Sequence, residues 1–455
     1  KTGASGGLIT MHTWYEQAIF YHIYPLGLLG AEKTNTLTET AHRLRDLEAW
    51  IPHIRALNGS AIYIGPLFES STHGYDTRDF RLVDRRLGTN EDFAHFVQLC
   101  HENEIRVVVD GVFNHTGREF FAFQDIQEKR EASPYKDWYR GVNFGWGSPL
   151  GDPFGYEAWQ GHFELPCLNL WNPDVRQYLF DSIRFWVDNF DIDGIRLDCA
   201  NVLDFGFMKE LREKTSAMKP DFWLMGEVIH GEYSRWVNPE MLHSVTNYEL
   251  HKALYSGHND HNYFEIAHNV RRLEAVGKSL YTFVDNHDED RIASKLNHPA
   301  NLFPVYQLLF TLPGIPSIYY GSEWGIEGKR SRTSDEVLRP ALTLSGMDGK
   351  APELISHIAA LGKIHVEHDA FHSGSYKELL LTNRQYAFSR SGENGTLISA
   401  VNNDEQPASI SIPLPCAASD AVSLLPGEIP FSLENGRLSV TLPANGGAIF
   451  KLQEV

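Results

Sequence analysis

The chain has 455 residues, 42% of them hydrophobic and 12% aromatic, enough to bury a large core in one large domain with an insertion or a smaller companion. Its formal net charge of −19 excludes a sequence-independent binder of nucleic-acid backbone, which needs clustered Lys and Arg, and suits a neutral polyol better. The four cysteines, Cys100, Cys167, Cys199 and Cys416, are too sparse for a disulfide scaffold and lack paired metal spacing, so they read as free thiols of a reducing, cytoplasmic compartment.

Residues 1–10, KTGASGGLIT, have neither the apolar core nor the basic start of a signal peptide and read as an added remnant ahead of Met11. Beyond them, short apolar or β-branched runs alternate with segments of helical period. AIFYHIYP opens the series. A helical pattern over 38–58 follows, then the strand SAIYIGP, a helix over 91–104 and the strand IRVVVDGVF. A helix over 175–190 precedes GIRLDC, and FWLMGEV, SVTNY and LYTFVDNH come next. Another helix over 302–312 leads into IPSIYYG. Strands that are apolar throughout and separated by helices predict a parallel sheet, and eight of them predict closure into a (β/α)8 TIM barrel over 11–114 and 171–370. No apolar run is long enough to span a bilayer, so no membrane partner is expected.

Two stretches break the rhythm. Residues 115–170 are rich in Gly, Pro, Trp and Phe, show no clear helix and are too long for an ordinary loop, which predicts a small inserted domain after strand 3. From 371 to 455, short alternating strands with turn signals predict a C-terminal antiparallel β-sandwich.

Parallel barrels gather reactive groups at the C-terminal ends of their strands. There the third strand carries Asp110, Asn114 and His115, and the fourth carries Arg196 and Asp198. The fifth carries Glu227, and the seventh Asp285, His287, Asp288 and Arg291. An isolated Arg-x-Asp is ordinarily a buried ion pair. Carboxylates from several strands converging on one mouth are what glycoside cleavage requires: one to attack the anomeric carbon, one to protonate the leaving oxygen. In a strand, residues two apart share a face, so Arg196 is expected to keep Asp198 ionised. Glu227 follows apolar FWLMG, where desolvation is expected to keep its carboxyl protonated.

The segments DGVFNH, GIRLDCAN, GEV and FVDNHD, in that order, resemble the sequence regions of the α-amylase family of glycoside hydrolases, and the resemblance covers the chain from about Met11. It implies a retaining hydrolase of α-glucosidic bonds with Asp198 as nucleophile, Glu227 as general acid/base and Asp288 as the third carboxylate, acting on an oligosaccharide substrate. It implies Tyr75, His115, Arg196, His230, His287 and Arg291 as substrate contacts. The run from Asp198 to His230 is similar to that of neopullulanases and cyclomaltodextrinases, with Asp204 and His230 as matching positions. The N-terminal domain through which those enzymes commonly dimerise has no counterpart in these residues, and the oligomeric state stays open.

Many members carry an Asp ligand of a structural calcium where LPCLN has Cys167, so no cofactor and no metal at that place are expected. The Lys-His pair that many members use for the outgoing chain is Asn201-Val202 here. Phe144, Trp146, Tyr156, Trp159 and Trp171 are candidate sugar platforms. An α-glucosidase and a transglycosylase would share the whole catalytic set. A barrel retained only for binding would be expected to lack one of the three carboxylates, and a phosphate-using barrel would want a Gly-rich loop where IPSIYYGSEWG stands.

Overall fold

The computed structural model describes residues 13–455, so the remnant read over 1–10 lies outside the described residues. Eight strands form one parallel sheet: β1 (Phe20–Ile23), β2 (Ala61–Ile64), β3 (Arg106–Gly111), β4 (Gly194–Leu197), β5 (Trp223–Gly226), β6 (Ser244–Val245), β7 (Tyr281–Thr282) and β8 (Ile315–Tyr319). Its order, β6-β5-β4-β3-β2-β1-β8-β7, closes on itself through a parallel bridge between Thr246 and Tyr281, where Asn247 N donates to Tyr281 O at 2.9 Å. The fold is therefore the expected TIM barrel.

Alternation along the strands sorts the core into two layers. Phe20, Ala61, Tyr63, Val108, Trp223, Met225 and Tyr281 fill the barrel interior. Residues between them, such as Ile62, Val107, Val109, Ile195 and Leu224, join the larger cluster packed under the helices. Because both faces are covered, the barrel strands read in the sequence largely as continuous apolar runs.

Several elements differ from the sequence reading. The single helix expected over 38–58 is two short ones, Leu44–Leu47 and Trp50–Ala56; Pro52 has no N–H to bond one turn back, so it can sit only in the first turn of a new helix. SVTNY pairs for only two residues because Asn247 caps a helix starting at Tyr248, its Oδ1 accepting from Leu250 N at 3.0 Å. The inserted stretch does contain a helix, Phe121–Lys129, whose Ala122, Phe123 and Ile126 are buried, and a hairpin of Ala158–Trp159 with His162–Pro166.

The last part of the chain forms a five-stranded and a three-stranded antiparallel sheet around their own apolar cluster. Polar groups join them to the barrel helix Leu302–Thr311. Gln307 Nε2 donates to Ser399 Oγ, Ala400 O and Ala448 O at 3.0, 3.0 and 3.1 Å, and the wholly buried Arg390 donates through Nη1 to Thr311 O at 2.8 Å.

Candidate active site

The period of two that orders the interior also aims the chemistry. Asp110 and Arg196 are register partners on β3 and β4, and Arg196 faces Met225 on β5. One step further, Asp198 N donates to Gly111 O at 3.1 Å and Glu227 N to Leu197 O at 2.9 Å, so the backbone ladder itself holds both carboxylates just above the strand ends.

Arg196, 3% exposed, is the hub of this layer. Its Nη1 donates to Asp110 Oδ1 at 2.9 Å and Asp198 Oδ1 at 2.8 Å, and its Nη2 donates to Glu227 Oε2 at 2.6 Å. Arg196 thus meets Asp198 as the shared strand face implies and serves two further carboxyl groups besides, because a planar fork with several N–H groups reaches three acceptors at once. Cys199 takes a left-handed backbone (φ 51°); its N–H donates to Glu227 Oε1 at 3.2 Å and its thiol lies 3.3 Å from Asp198 Oδ2. Asp110 is fully engaged by Arg196 and by the hydroxyls of Tyr63 and Tyr75, which donate to its Oδ2 at 2.7 and 3.3 Å.

Asp288 approaches from the seventh strand. Arg339 Nη2 donates to its Oδ1 at 3.0 Å, and Arg339 Nε donates to His287 O at 3.0 Å. His287 Nε2 lies 2.7 Å from the Tyr75 hydroxyl and 3.3 Å from Asp288 Oδ2. His115 Nδ1 is 3.1 Å from Asn114 Nδ2. On each imidazole the other nitrogen, His115 Nε2 and His287 Nδ1, is buried without a hydrogen-bond partner. Leaving a buried polar atom unpaired costs about 1–3 kcal/mol.

Burial dominates the electrostatics. It holds His115 and His287 below the ordinary histidine value, so both rings are neutral at neutral pH. It pushes Glu227 up to about 7, with the charges of Asp198 and Asp288 adding to the rise and Arg196 opposing it. Asp110 goes up to about 6 for the same first reason. Oxygen and sulfur atoms of Asp198, Cys199 and Glu227 lie within 4.8 Å of one another, close enough to share a cation. That positive charge is already supplied by the Arg196 guanidinium, and a second cation there would be repelled by it.

The remaining expected contacts separate. Tyr75 stands in the cluster, its ring stacked on His287 at 5.9 Å. Arg291 does not: it is wholly buried and donates to Tyr320 O, Ser322 Oγ and Leu338 O. Reading it as a substrate contact is corrected, because the chain turns after Asp288 and sends this side chain under the loop that follows β8. His230 is exposed, three residues beyond Glu227. Asp204 caps the helix Phe205–Met218, its Oδ2 accepting from Phe207 N at 2.8 Å. Among the aromatics, Tyr156 is buried and hydrogen-bonded to Asp152, Phe144 leans on Phe154, and Trp159 lies 6.1 Å from His115. Trp146 and Trp171 are exposed. Tyr63 and Arg339 were not expected in the site. Tyr63 could have been found from its place two residues after the inward Ala61, whereas Arg339 comes from a loop that carries no periodic signal.

Where the family's calcium ligand would lie, Cys167 is buried and bridged to His115 through the backbone. Thr116 N donates to Pro166 O at 3.1 Å and Leu168 N to Asn114 O at 2.9 Å. The thiol is pushed up to about 11 by burial, which disfavours its metal-binding thiolate.

Comparison with known proteins agrees with this geometry. Residues 36–351 match the family described as Alpha amylase, catalytic domain. A cyclomaltodextrinase of Geobacillus thermopakistaniensis is 29% identical over 470 residues, spanning 97% of this chain and 78% of its own. A maltogenic alpha-amylase of Bacillus acidopullulyticus is 30% identical over 472 residues with the same coverage, 97% and 78%. Among solved structures, the ligand-free cyclic alpha-maltosyl-(1→6)-maltose hydrolase of Arthrobacter globiformis superposes with a TM-score of 0.82 at 25% identity, covering 97% of this chain and all of that one.

Proposed function

This chain belongs to the α-amylase family and is a glycoside hydrolase, and within that family we propose that it cleaves α-1,4-glucosidic bonds of short malto-oligosaccharides, cyclic ones included, by double displacement. The observation that carries this reading is the pairing of Asp198 and Glu227 on one guanidinium, with carboxylate oxygens within 4.8 Å. Such closeness fits a retaining mechanism, in which the two carboxyl groups stand about 5–5.5 Å apart; inverting enzymes leave about 6.5–9.5 Å to admit a water.

In the first step Asp198 forms a bond to the anomeric carbon while Glu227 gives its proton to the departing glycosidic oxygen. In the second, Glu227 takes a proton from water as that water displaces Asp198, restoring the original configuration. Asp288, held by Arg339, together with His115 and His287 would bind the hydroxyls of the sugar at the point of cleavage. Tyr75 would stack on it.

Names of the similar proteins support malto-oligosaccharides as the substrate class. Transglycosylation by the same residues is the second reading, since the same Asp198 and Glu227 pair would pass the glucosyl group to a sugar hydroxyl in place of water. Product analysis separates the two. With β-cyclodextrin, maltoheptaose, pullulan and starch, the hydrolase reading expects the cyclodextrin and the heptaose to be consumed fastest, giving shorter products. Products longer than the substrate would establish the transglycosylase instead, and a protein that turns over none of the four would overturn both.

Glu227 sets the pH dependence. A carboxyl raised to about 7 is protonated below that value and ionised above it, so kcat/KM is expected to fall as pH rises through about 7. A profile flat from pH 5 to 9 would remove Glu227 from the acid role.

We also place no calcium at the family's usual position, a view supported by the backbone pairing of residues 114–116 with 166–168, which ties the insertion directly to the barrel, and by the thiol of Cys167 in place of a hard oxygen donor. Exhaustive chelation is therefore expected to leave both the rate and the melting temperature unchanged; a fall in either that added calcium restores would refute this. A cytoplasmic location is part of the same reading, supported by four unpaired thiols.

A further inference from the structure

Beside the catalytic loop lies an open cleft of about 640 Å³ between the helices Pro173–Phe190 and Phe205–Met218. It is lined by Trp171, Arg176, Gln177, Asp204, Glu210 and Lys214. None of these residues belongs to the catalytic cluster, yet Asp204 stands only six positions after Asp198. Its volume overlaps the range of about 300–1,000 Å³ that ligand sites span, in a groove that stays open to solvent.

Trp171 is the unusual member. An indole that is 79% exposed forfeits most of the burial that makes tryptophan worth having in a core. This one is also fixed in place. Its Nε1–H donates to Asp204 Oδ1 at 3.1 Å and its backbone N–H to Asn169 Oδ1 at 3.2 Å. A ring held rigid from its polar edge presents its apolar face to water, already ordered for a flat partner, and so loses little entropy when one binds.

The charges around it identify the partner. Arg176 is spent within the protein: its Nη2 donates to Asp204 Oδ2 at 2.8 Å and its Nη1 lies 3.8 Å from Glu210 Oε1. With Lys214 added, the cleft holds two cations and two anions, so neither an anionic nor a cationic ligand gains net attraction. A neutral molecule with one apolar face and many hydroxyls gains from both halves of the lining, stacking on the indole and bonding to the charged and amide groups.

We infer that this cleft is a second α-glucan binding site, centred on Trp171 and separate from the catalytic pocket. The inference rests on the malto-oligosaccharide reading above. It would hold part of a longer chain next to the loop that carries the nucleophile.

The test is calorimetric titration of the Asp198→Asn protein, which keeps the ligand intact, with maltoheptaose. Two binding equivalents per chain are expected. Asp198→Asn/Trp171→Ala should keep one, and Asp198→Asn/Trp171→Phe, which retains a flat ring, should keep two. Should the Ala variant misfold, oxidation of Trp171 by N-bromosuccinimide in the Asp198→Asn protein, read by mass spectrometry, gives the same answer: saturating maltoheptaose should slow it several-fold. A single equivalent in the Asp198→Asn protein, two equivalents surviving Trp171→Ala, or no protection of Trp171 would each overturn the second site. If the wild-type protein hydrolyses malto-oligosaccharides while only one equivalent binds, the proposed function stands and the second site alone falls. No binding and no hydrolysis would remove both.

Discussion

Replacing Asp198 with Asn is expected to leave the fold intact and to lower kcat by about 10⁴-fold or more, the scale on which enzymes lose turnover when a covalent nucleophile is removed. The substitution is nearly isosteric. The backbone bond from Asp198 N to Gly111 O does not involve the side chain, and an amide oxygen can still accept from Arg196 Nη1, so the melting temperature should move little. What disappears is the negative charge that makes the side-chain oxygen nucleophilic toward the anomeric carbon. A second effect follows from the electrostatics: the charge of Asp198 is one cause of the high Glu227 value, so its removal should lower that value and move the alkaline limb of any residual activity to lower pH. Retention of more than about a tenth of the wild-type kcat would rule out a covalent role for Asp198.

Arg196→Leu is expected to be as damaging to activity and far more damaging to the fold. Asp110, Asp198 and Glu227 all bond to this one guanidinium, and the side chain is 3% exposed. Taking it away leaves three carboxyl groups crowded together with no counter-charge, and breaking buried ion pairs from one side typically costs about 3–5 kcal/mol. The cost should depend on pH in a definite sense. Asp110 and Glu227 already stand above the ordinary carboxyl range with Arg196 opposing the rise, so without Arg196 their folded-state values go higher still, and the folded state is penalised as those extra protons leave. The variant should therefore approach wild-type stability near pH 4 and lose it as pH rises toward 8, in urea melts at both ends. Equal loss at pH 4 and pH 8, or near-normal kcat, would show that the three carboxylates do not depend on this residue.

These residues were legible because strand geometry is rigid. Once GIRLDC is read as a strand, Arg196 and Asp198 must share a face. The same period places Asp110 and Glu227 in the same mouth from neighbouring strands. Legibility ends where the strand does. Asp288 is met by Arg339, which lies 51 positions later in a loop, and no local pattern announces such a meeting. Arg291 failed for the converse reason: it sits near a strand end in sequence, but after Asp288 the chain no longer follows a two-residue period, and the side chain turns inward to tie down residues 320–338. The helix expected over 38–58 shows the same limit, its apolar spacing continuing across Pro52 while its hydrogen bonding cannot.

The amide of Gln307 and the guanidinium of Arg390 bear on how the chain comes apart. Both are donors that belong to one module and find their acceptors in the other, on Ser399, Ala400 and Ala448 in one direction and on Thr311 in the other. If the sandwich let go first, the helix Leu302–Thr311 would expose an apolar face together with unmatched donors and acceptors, so partial opening is penalised on both sides of the seam. The C-terminal sheets thus act as a lock on the barrel: the two are expected to melt as one unit although the topology shows two, and a break near residue 371 is expected to loosen the scaffold that aims Asp198 and Glu227.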